Sequence, residues 1–353
     1  MPTEITLLRD LVAIPSVSGA EGEVAAFIET WAKGQGLRVH RDETALLIRV
    51  GGHKPGPRLA LISHLDTVPA GEGWTRDPFQ ATIEEEKLYG RGSGDAKASV
   101  AAMLSAAADL IASKGPAHGE LVVVLGFGEE TKNTSMPHAV AKHGPFDAAV
   151  VGEPTNLDIA VAQRGLMMVD LIAKGDQRHA GYASEGGFTN AVNVLAADLL
   201  ALSTLAQERP HSVLGHPTLT ATMVEAGVSR NVTPPSAKAV LDIRSTPAWS
   251  HQELGALLRR QLRSEVIVTS ERLVPCETPA NSALLAAALR TRPSAKTFGS
   301  PTCSDWVFVR DADAIKCGPG TSRRSHTPDE FVDLPEVTAA RAFYARLAKE
   351  YLG

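Results

Sequence analysis

Five short stretches of this chain place histidines and carboxylates where an apolar run gives way to a turn. The first is Leu61-Ile-Ser-His64-Leu-Asp66. An apolar strand would deliver both polar residues to its carboxyl end, where open α/β sheets build their sites. His64 can ligate a metal while Asp66 fixes the other ring nitrogen; the plainer reading is a loop histidine beside a capping aspartate. The second is Gly90-Arg-Gly-Ser-Gly-Asp95-Ala-Lys97. Its glycines permit unusual backbone angles just before Asp95, either as a helix N-cap or as a carboxylate held between two cations. The spacing fits neither the P-loop nor the dinucleotide fingerprint.

The third stretch, Leu121-Val-Val-Val-Leu-Gly-Phe-Gly-Glu129-Glu130, ends a buried apolar run in two adjacent carboxylates. That is costly unless something compensates them. If one binds a metal, the other can serve as general base on a metal-activated water. Val150-Val-Gly-Glu153-Pro154 repeats the pattern, and Gly318-Pro-Gly-Thr-Ser-Arg-Arg-Ser-His326-Thr-Pro-Asp-Glu330 sets a histidine in a glycine- and proline-rich loop. His64, Asp95, Glu130, Glu153 and His326 together supply two divalent ions with three protein ligands each, one carboxylate bridging. Such a set suits zinc, and also cobalt or manganese.

The elements that must position these residues alternate between strand and helix. Thr3 can cap a helix with Ile5, Leu8 and Val12 on one face, and a second helix carries Val24, Phe27, Ile28 and Trp31. Strands are expected at Leu46–Val50, Leu59–Ser63, Leu121–Gly126 and Ala148–Gly152, and helices at Ala96–Lys114 and Met136–His143. This alternation predicts an α/β sandwich around a buried sheet. From Met167 the texture changes. Strands at Met167–Lys174, Leu219–Val224, Lys238–Arg244 and Val266–Thr269, with helices at Asn190–Ala206 and Ser250–Leu262, fit a compact α+β insertion. The chain ends in a helix, Pro335–Tyr351.

Composition narrows the function classes. The 353 residues carry a net charge of −5, which gives no basic excess for nucleic acid. The longest apolar run, Ser99 to Ile111, is too short and too polar to span a bilayer. The N-terminal Met1-Pro2-Thr3-Glu4 has neither the basic nor the apolar region of a signal peptide. Three cysteines, Cys276, Cys303 and Cys317, form no framework and point to a reducing cytoplasm.

The order of these motifs resembles one family: the acetylornithine deacetylase, succinyl-diaminopimelate desuccinylase and aminoacylase group of co-catalytic zinc hydrolases. The resemblance runs from His64 to Glu330. It implies a zinc-aminopeptidase-like α/β/α catalytic domain, residues 1–168 and 276–353, interrupted by an α+β lid or dimerisation domain at 169–275. Carried onto this chain, it makes Asp95 the bridging ligand, with His64 and Glu153 on one metal and Glu130 and His326 on the other. Glu129 becomes the general base and Asp66 the partner of His64. His179 matches a lid histidine that helps stabilise the oxyanion, often from the other subunit of a dimer. Asn231 and Arg244 match positions that hold the substrate carboxylate, and Arg164 resembles another substrate-facing basic position. Gly128, Asn133 and Cys303 depart from the family pattern without touching a proposed ligand.

The resemblance implies a two-metal amide hydrolase, first of all one that deacylates an N-acetylated basic amino acid, as in arginine biosynthesis; Gly152-Glu-Pro-Thr-Asn-Leu resembles that branch. Alternatives are release of lysine or ornithine from an acidic amino-group carrier protein, to whose recognition Arg323 and Arg324 could contribute, and a dipeptidase or desuccinylase. From another class, an inactive relative would only bind metal and a partner. The intact ligand set and Glu129 argue against it.

Overall fold

A computed structural model of the chain describes residues 3–353. Packing divides it into two units. The first runs to Val161 and adds Thr278–Phe298 and Ser304–Gly353; the second comprises Ala162–Glu277 with Gly299–Cys303. The sequence reading put the junctions at 168/169 and 275/276. The second unit begins earlier because Gly165 and Leu166 already pair with Ser245 and Arg244. It takes in Cys276 because that residue pairs with Gln163.

In the first unit the strands lie in the order Arg38–Arg41, Ala45–Gly51, His118–Gly126, Lys54–His64, Ala148–Val151 and Asp313–Lys316. The last four are mutually parallel. Their runs Leu59–Ile62, Leu121–Leu125 and Ala148–Val151 are fully buried, as unbroken apolar strands covered on both faces must be. Each buried leucine, valine or isoleucine contributes about 1.5–3 kcal/mol. The helices Thr3–Val12, Ala98–Ala112 and Leu334–Leu352 pack into the same core. A separate antiparallel sheet joins Phe331–Asp333, Lys87–Tyr89 and Thr82–Glu84.

One expected helix is shorter than its sequence suggested. The stretch Ala96–Lys114 becomes a helix only from Ala98 to Ala112. Asp95 and Ala96 take non-helical backbone angles, φ/ψ of −119°/93° and −129°/24°. Gly92, at φ +79°, turns the chain into this segment where any Cβ would collide with Thr67 at 2.5 Å. The backbone ahead of the helix is thus bent to present Asp95, at the expense of regular structure.

The second unit is a four-stranded antiparallel sheet in the order Thr218–Ala226, Ser236–Ser245, Gly165–Lys174, Glu265–Leu273. Gly165–Lys174 alternates buried and half-buried residues along its length. Met167, Val169, Leu171 and Ala173 form one core with helices Ala191–Ala201 and His251–Gln261. Ser250 and Glu253 close a capping box on the latter helix. Among the described residues, no helix is long and apolar enough to cross a membrane, and Cys276, Cys303 and Cys317 form no disulfide.

Candidate metal centre and the residues around it

The four parallel strands of the first unit end side by side, and each leads to one or more of the residues expected to bind metal. His64 is the last residue of its strand. Glu129 and Glu130 follow the strand ending at Gly126, Glu153 the strand ending at Val151, and His326 lies on the loop beyond Lys316. Parallel register makes this convergence obligatory, because all four carboxyl ends face the same edge.

The distances are those of a ligand cluster. His64 Nε2 lies 3.3 Å from Asp95 Oδ1 and 3.9 Å from Glu153 Oε1. His326 Nε2 lies 3.0 Å from the Glu130 carboxylate and 3.8 Å from Asp95 Oδ2. Asp95 therefore stands between the two histidines. One ligand atom each from His64, Asp95 and Glu130 lie within 4.8 Å of one another. His326 holds a left-handed backbone, φ 64°, which a non-glycine residue keeps only where its surroundings enforce it.

Asp66 meets His64 through two atoms. His64 Nδ1 lies 3.0 Å from the backbone carbonyl of Asp66 and 3.5 Å from its carboxylate. The carboxylate also accepts the N–H groups of Glu129 and Glu130, both at 3.0 Å, and the Ser18 hydroxyl at 2.7 Å. One residue thus orients the histidine and fixes the backbone of the carboxylate pair. Burial alone would raise its pKa, but the contacts of His64, Ser18 and Glu130 outweigh it and hold Asp66 at about 2.

The other groups show what this crowding costs. Burial raises Glu129 well above the ordinary carboxylate range, with the charges of Glu153, Asp305 and Glu130 adding to it and His64 opposing. Burial likewise pushes Glu153 up to about 8, with the charge of Asp95 adding. His64 is raised despite burial by the contacts of Asp66 and Asp95. Its Nε2 is buried and makes no hydrogen bond of good geometry. An orphaned imidazole nitrogen facing several buried carboxylates is the donor set a divalent cation fits.

Four residues that sequence reasoning gave no role support the cluster. Glu330 is 1% exposed and accepts from Arg91 Nη1 at 2.7 Å and from the N–H groups of Gly92, Gly94 and Asp95 at 3.2, 3.0 and 3.1 Å. Glu21 accepts the Gly128 N–H at 2.9 Å. Asp305, pushed by burial to about 6, takes a hydrogen bond from the Asn133 amide at 2.7 Å. The sequence signals were present: Glu330 closes the His326 motif, and Asn133 stood out where relatives often have glycine. Asn133 has φ 42°, a conformation asparagine tolerates better than most residues.

The remaining expected site residues lie in the second unit. His179 and Asn231 come together there: His179 bridges Val232, and Asn231 O accepts the Ala180 N–H at 2.8 Å. His179 Nδ1 accepts the Gly181 N–H at 3.1 Å. Its proton is therefore assigned to Nε2, leaving an exposed donor. The Arg244 guanidinium is gripped by Asp242 at 2.8 and 3.0 Å. Arg164 spends its guanidinium on the carbonyls of Leu214, His216 and Arg244 at 2.6, 2.8 and 3.1 Å. That makes it a fastener of this unit.

Comparison with known proteins agrees with the geometry. The family model for peptidase family M20/M25/M40 matches residues 60–350. A succinyl-diaminopimelate desuccinylase of Methylorubrum populi is 29% identical, with 98% of each chain covered. An acetylornithine deacetylase of Proteus mirabilis is 27% identical over 99% of this chain and 97% of its own. In structure, the Bacillus subtilis YXEP protein, described as a dinuclear metal binding peptidase, matches at a TM-score of 0.78 and 18% identity, covering 99% of this chain and 97% of its own. That likeness speaks for the fold.

Proposed function

The chain belongs to peptidase family M20/M25/M40, and on that premise we propose that it removes the acyl group from an N-acyl amino acid using two divalent metal ions. The observation that carries this reading is the meeting of His64, Asp95, Glu130, Glu153 and His326 around the buried His64 Nε2, which makes no hydrogen bond of good geometry. Asp95 would bridge, with His64 and Glu153 completing one coordination set and Glu130 and His326 the other. Zinc suits these donors, and cobalt or manganese fits the same set. Bound there, the ions supply Lewis acidity to the scissile carbonyl and to the attacking water.

The protein's own groups do the rest. Glu129 takes the proton of the attacking water and returns it to the leaving amine. His179, with its proton on Nε2, has the tautomer of an oxyanion donor. Arg244, its guanidinium oriented by Asp242, offers a bidentate partner for the substrate's α-carboxylate, with Asn231 beside it in role. We include a homodimer in this reading. The edge strand Thr218–Ala226 is exposed along almost its whole length, Met223 and Val224 at 56% each, and an unpaired strand edge can extend a second sheet.

Identity of 27–29% to both a desuccinylase and a deacetylase favours neither acyl group. The Gly152–Leu157 motif leans toward N-acetylornithine. The test is to incubate metal-loaded protein with N-acetylornithine, N-acetyllysine and N-succinyl-diaminopimelate, each with and without a chelator. Chelator-sensitive release of a free amine from one of them supports the reading and names the branch. No release from any, with two ions bound per chain, removes it.

A further inference from the structure

Away from this centre, His40, Asp42 and His143 form another convergence of ligand-type residues among those described, with one donor atom of each within 4.8 Å of the others. His40 sits on the strand Arg38–Arg41, Asp42 in the turn after it, and His143 is the last residue of the helix Ser135–His143. Both imidazoles aim Nε2 at one oxygen, Asp42 Oδ2, at 3.5 and 2.8 Å. The rings meet edge to face, 5.4 Å between centroids. These separations match the histidine–carboxylate distances of 3.3 and 3.0 Å at the centre described above.

We propose that His40, Asp42 and His143 bind a divalent ion of the zinc, nickel or copper class, with water completing the coordination. Two imidazoles and one carboxylate are the donors such ions prefer. Two of the three ligands are already held in place. Asp42 Oδ1 accepts from Thr44 N at 2.8 Å, Thr44 Oγ1 at 2.7 Å and Ala45 N at 3.2 Å, which turns Oδ2 toward the histidines. The His143 carbonyl takes a hydrogen bond from Arg58 at 2.9 Å. Hydrogen bonds like those on the Asp42 carboxylate orient the ligands of metal sites, and the Arg58 contact fixes the helix end that carries His143. The cation would also sit at the C-terminal end of a helix, where the backbone dipole favours positive charge.

Lys142 now supplies that charge. Its Nζ lies 3.0 Å from Asp42 Oδ2 and 3.2 Å from Glu43 Oε1, with its side chain 47% exposed. An arriving ion displaces it onto Glu43, which stays within reach. The ion then joins the turn at Asp42 to the helix that follows the Glu129–Glu130 segment in the chain.

The test is equilibrium dialysis of the full chain against buffered zinc, counting bound metal by elemental analysis, for wild type, His40→Ala and Asp42→Asn. Wild type should take up one more ion per chain than either variant. His40→Ala should weaken that uptake by more than the roughly 10–100-fold cost of losing an outer hydrogen bond. Cobalt-loaded wild type should lose part of its visible absorption on the same change. His40 is exposed, so its variant should melt like wild type in chelator. Asp42→Asn gives an independent ligand deletion if His40→Ala fails to fold. Equal metal counts in wild type and a folded variant, at every free zinc concentration, overturn the proposal.

Discussion

The carboxylate of Glu330 accepts the backbone N–H of Asp95 at 3.1 Å. With Arg91 and the N–H groups of Gly92 and Gly94 on the same carboxylate, it ties the loop that carries His326 to the turn that presents Asp95. Asp95 and the loop of His326, far apart in the sequence, thus share one buried anchor. Glu330→Gln should leave the Arg91 guanidinium, itself 2% exposed, without its counter-charge. The expected cost is about 3 kcal/mol, read by urea denaturation of the metal-free protein, together with weaker zinc retention on dialysis. Unchanged stability and metal content would show that the clamp does not position Asp95.

Acid stability should depend on Asp66. A carboxylate whose folded pKa lies below its unfolded one stabilises the fold above the unfolded value, about 3.9. That contribution disappears as pH falls through the folded value, here about 2. For Asp66 it amounts to about 2 kcal/mol. Denaturation of metal-free wild type should therefore weaken between pH 5 and 2, and Asp66→Asn should be less stable at pH 6 with a flatter profile over that window.

Metal removal should loosen the first unit. Without a cation, Glu129 and Glu153 must take up protons or endure their mutual charge. Saturating zinc should raise the melting temperature of chelator-treated protein, since a ligand at 100 times its Kd contributes about 2.7 kcal/mol. Calorimetry with increasing zinc checks this, and His64→Ala should abolish most of the shift.

The two arginines of the second unit should separate by phenotype. Arg244→Ala should raise KM about tenfold or more, the loss of a charged hydrogen bond of about 1.5–3 kcal/mol, with the melting temperature little changed. Arg164→Ala should lower the melting temperature, because three backbone carbonyls lose their donor. Steady-state kinetics and thermal melts on both variants distinguish the roles.

Strand-forming runs such as Leu59–Ser63 and Leu121–Gly126 were readable because unbroken apolar stretches between turns have few other ways to bury themselves. The family resemblance rested on motifs just beyond those strands, where parallel packing leaves the chain little choice. Short, mixed segments escaped notice: Asp313–Lys316 and Lys87–Tyr89 become strands only through their neighbours. The backbone N–H groups that Asp66 and Glu330 accept were also hidden, because no residue identity encodes those. The sequence could not show the carbonyls that Arg164 donates to, since they come from residues about 50 and 80 positions away.

Glu129 is proposed to move the proton in a metal-dependent amide hydrolysis. The direct measurement is turnover of the best N-acyl amino acid by wild type and Glu129→Gln, with bound metal counted in both preparations. Each should hold two ions per chain, and the variant should lose about 10²–10⁴-fold in kcat. Turnover near wild type in a fully loaded Glu129→Gln would contradict it.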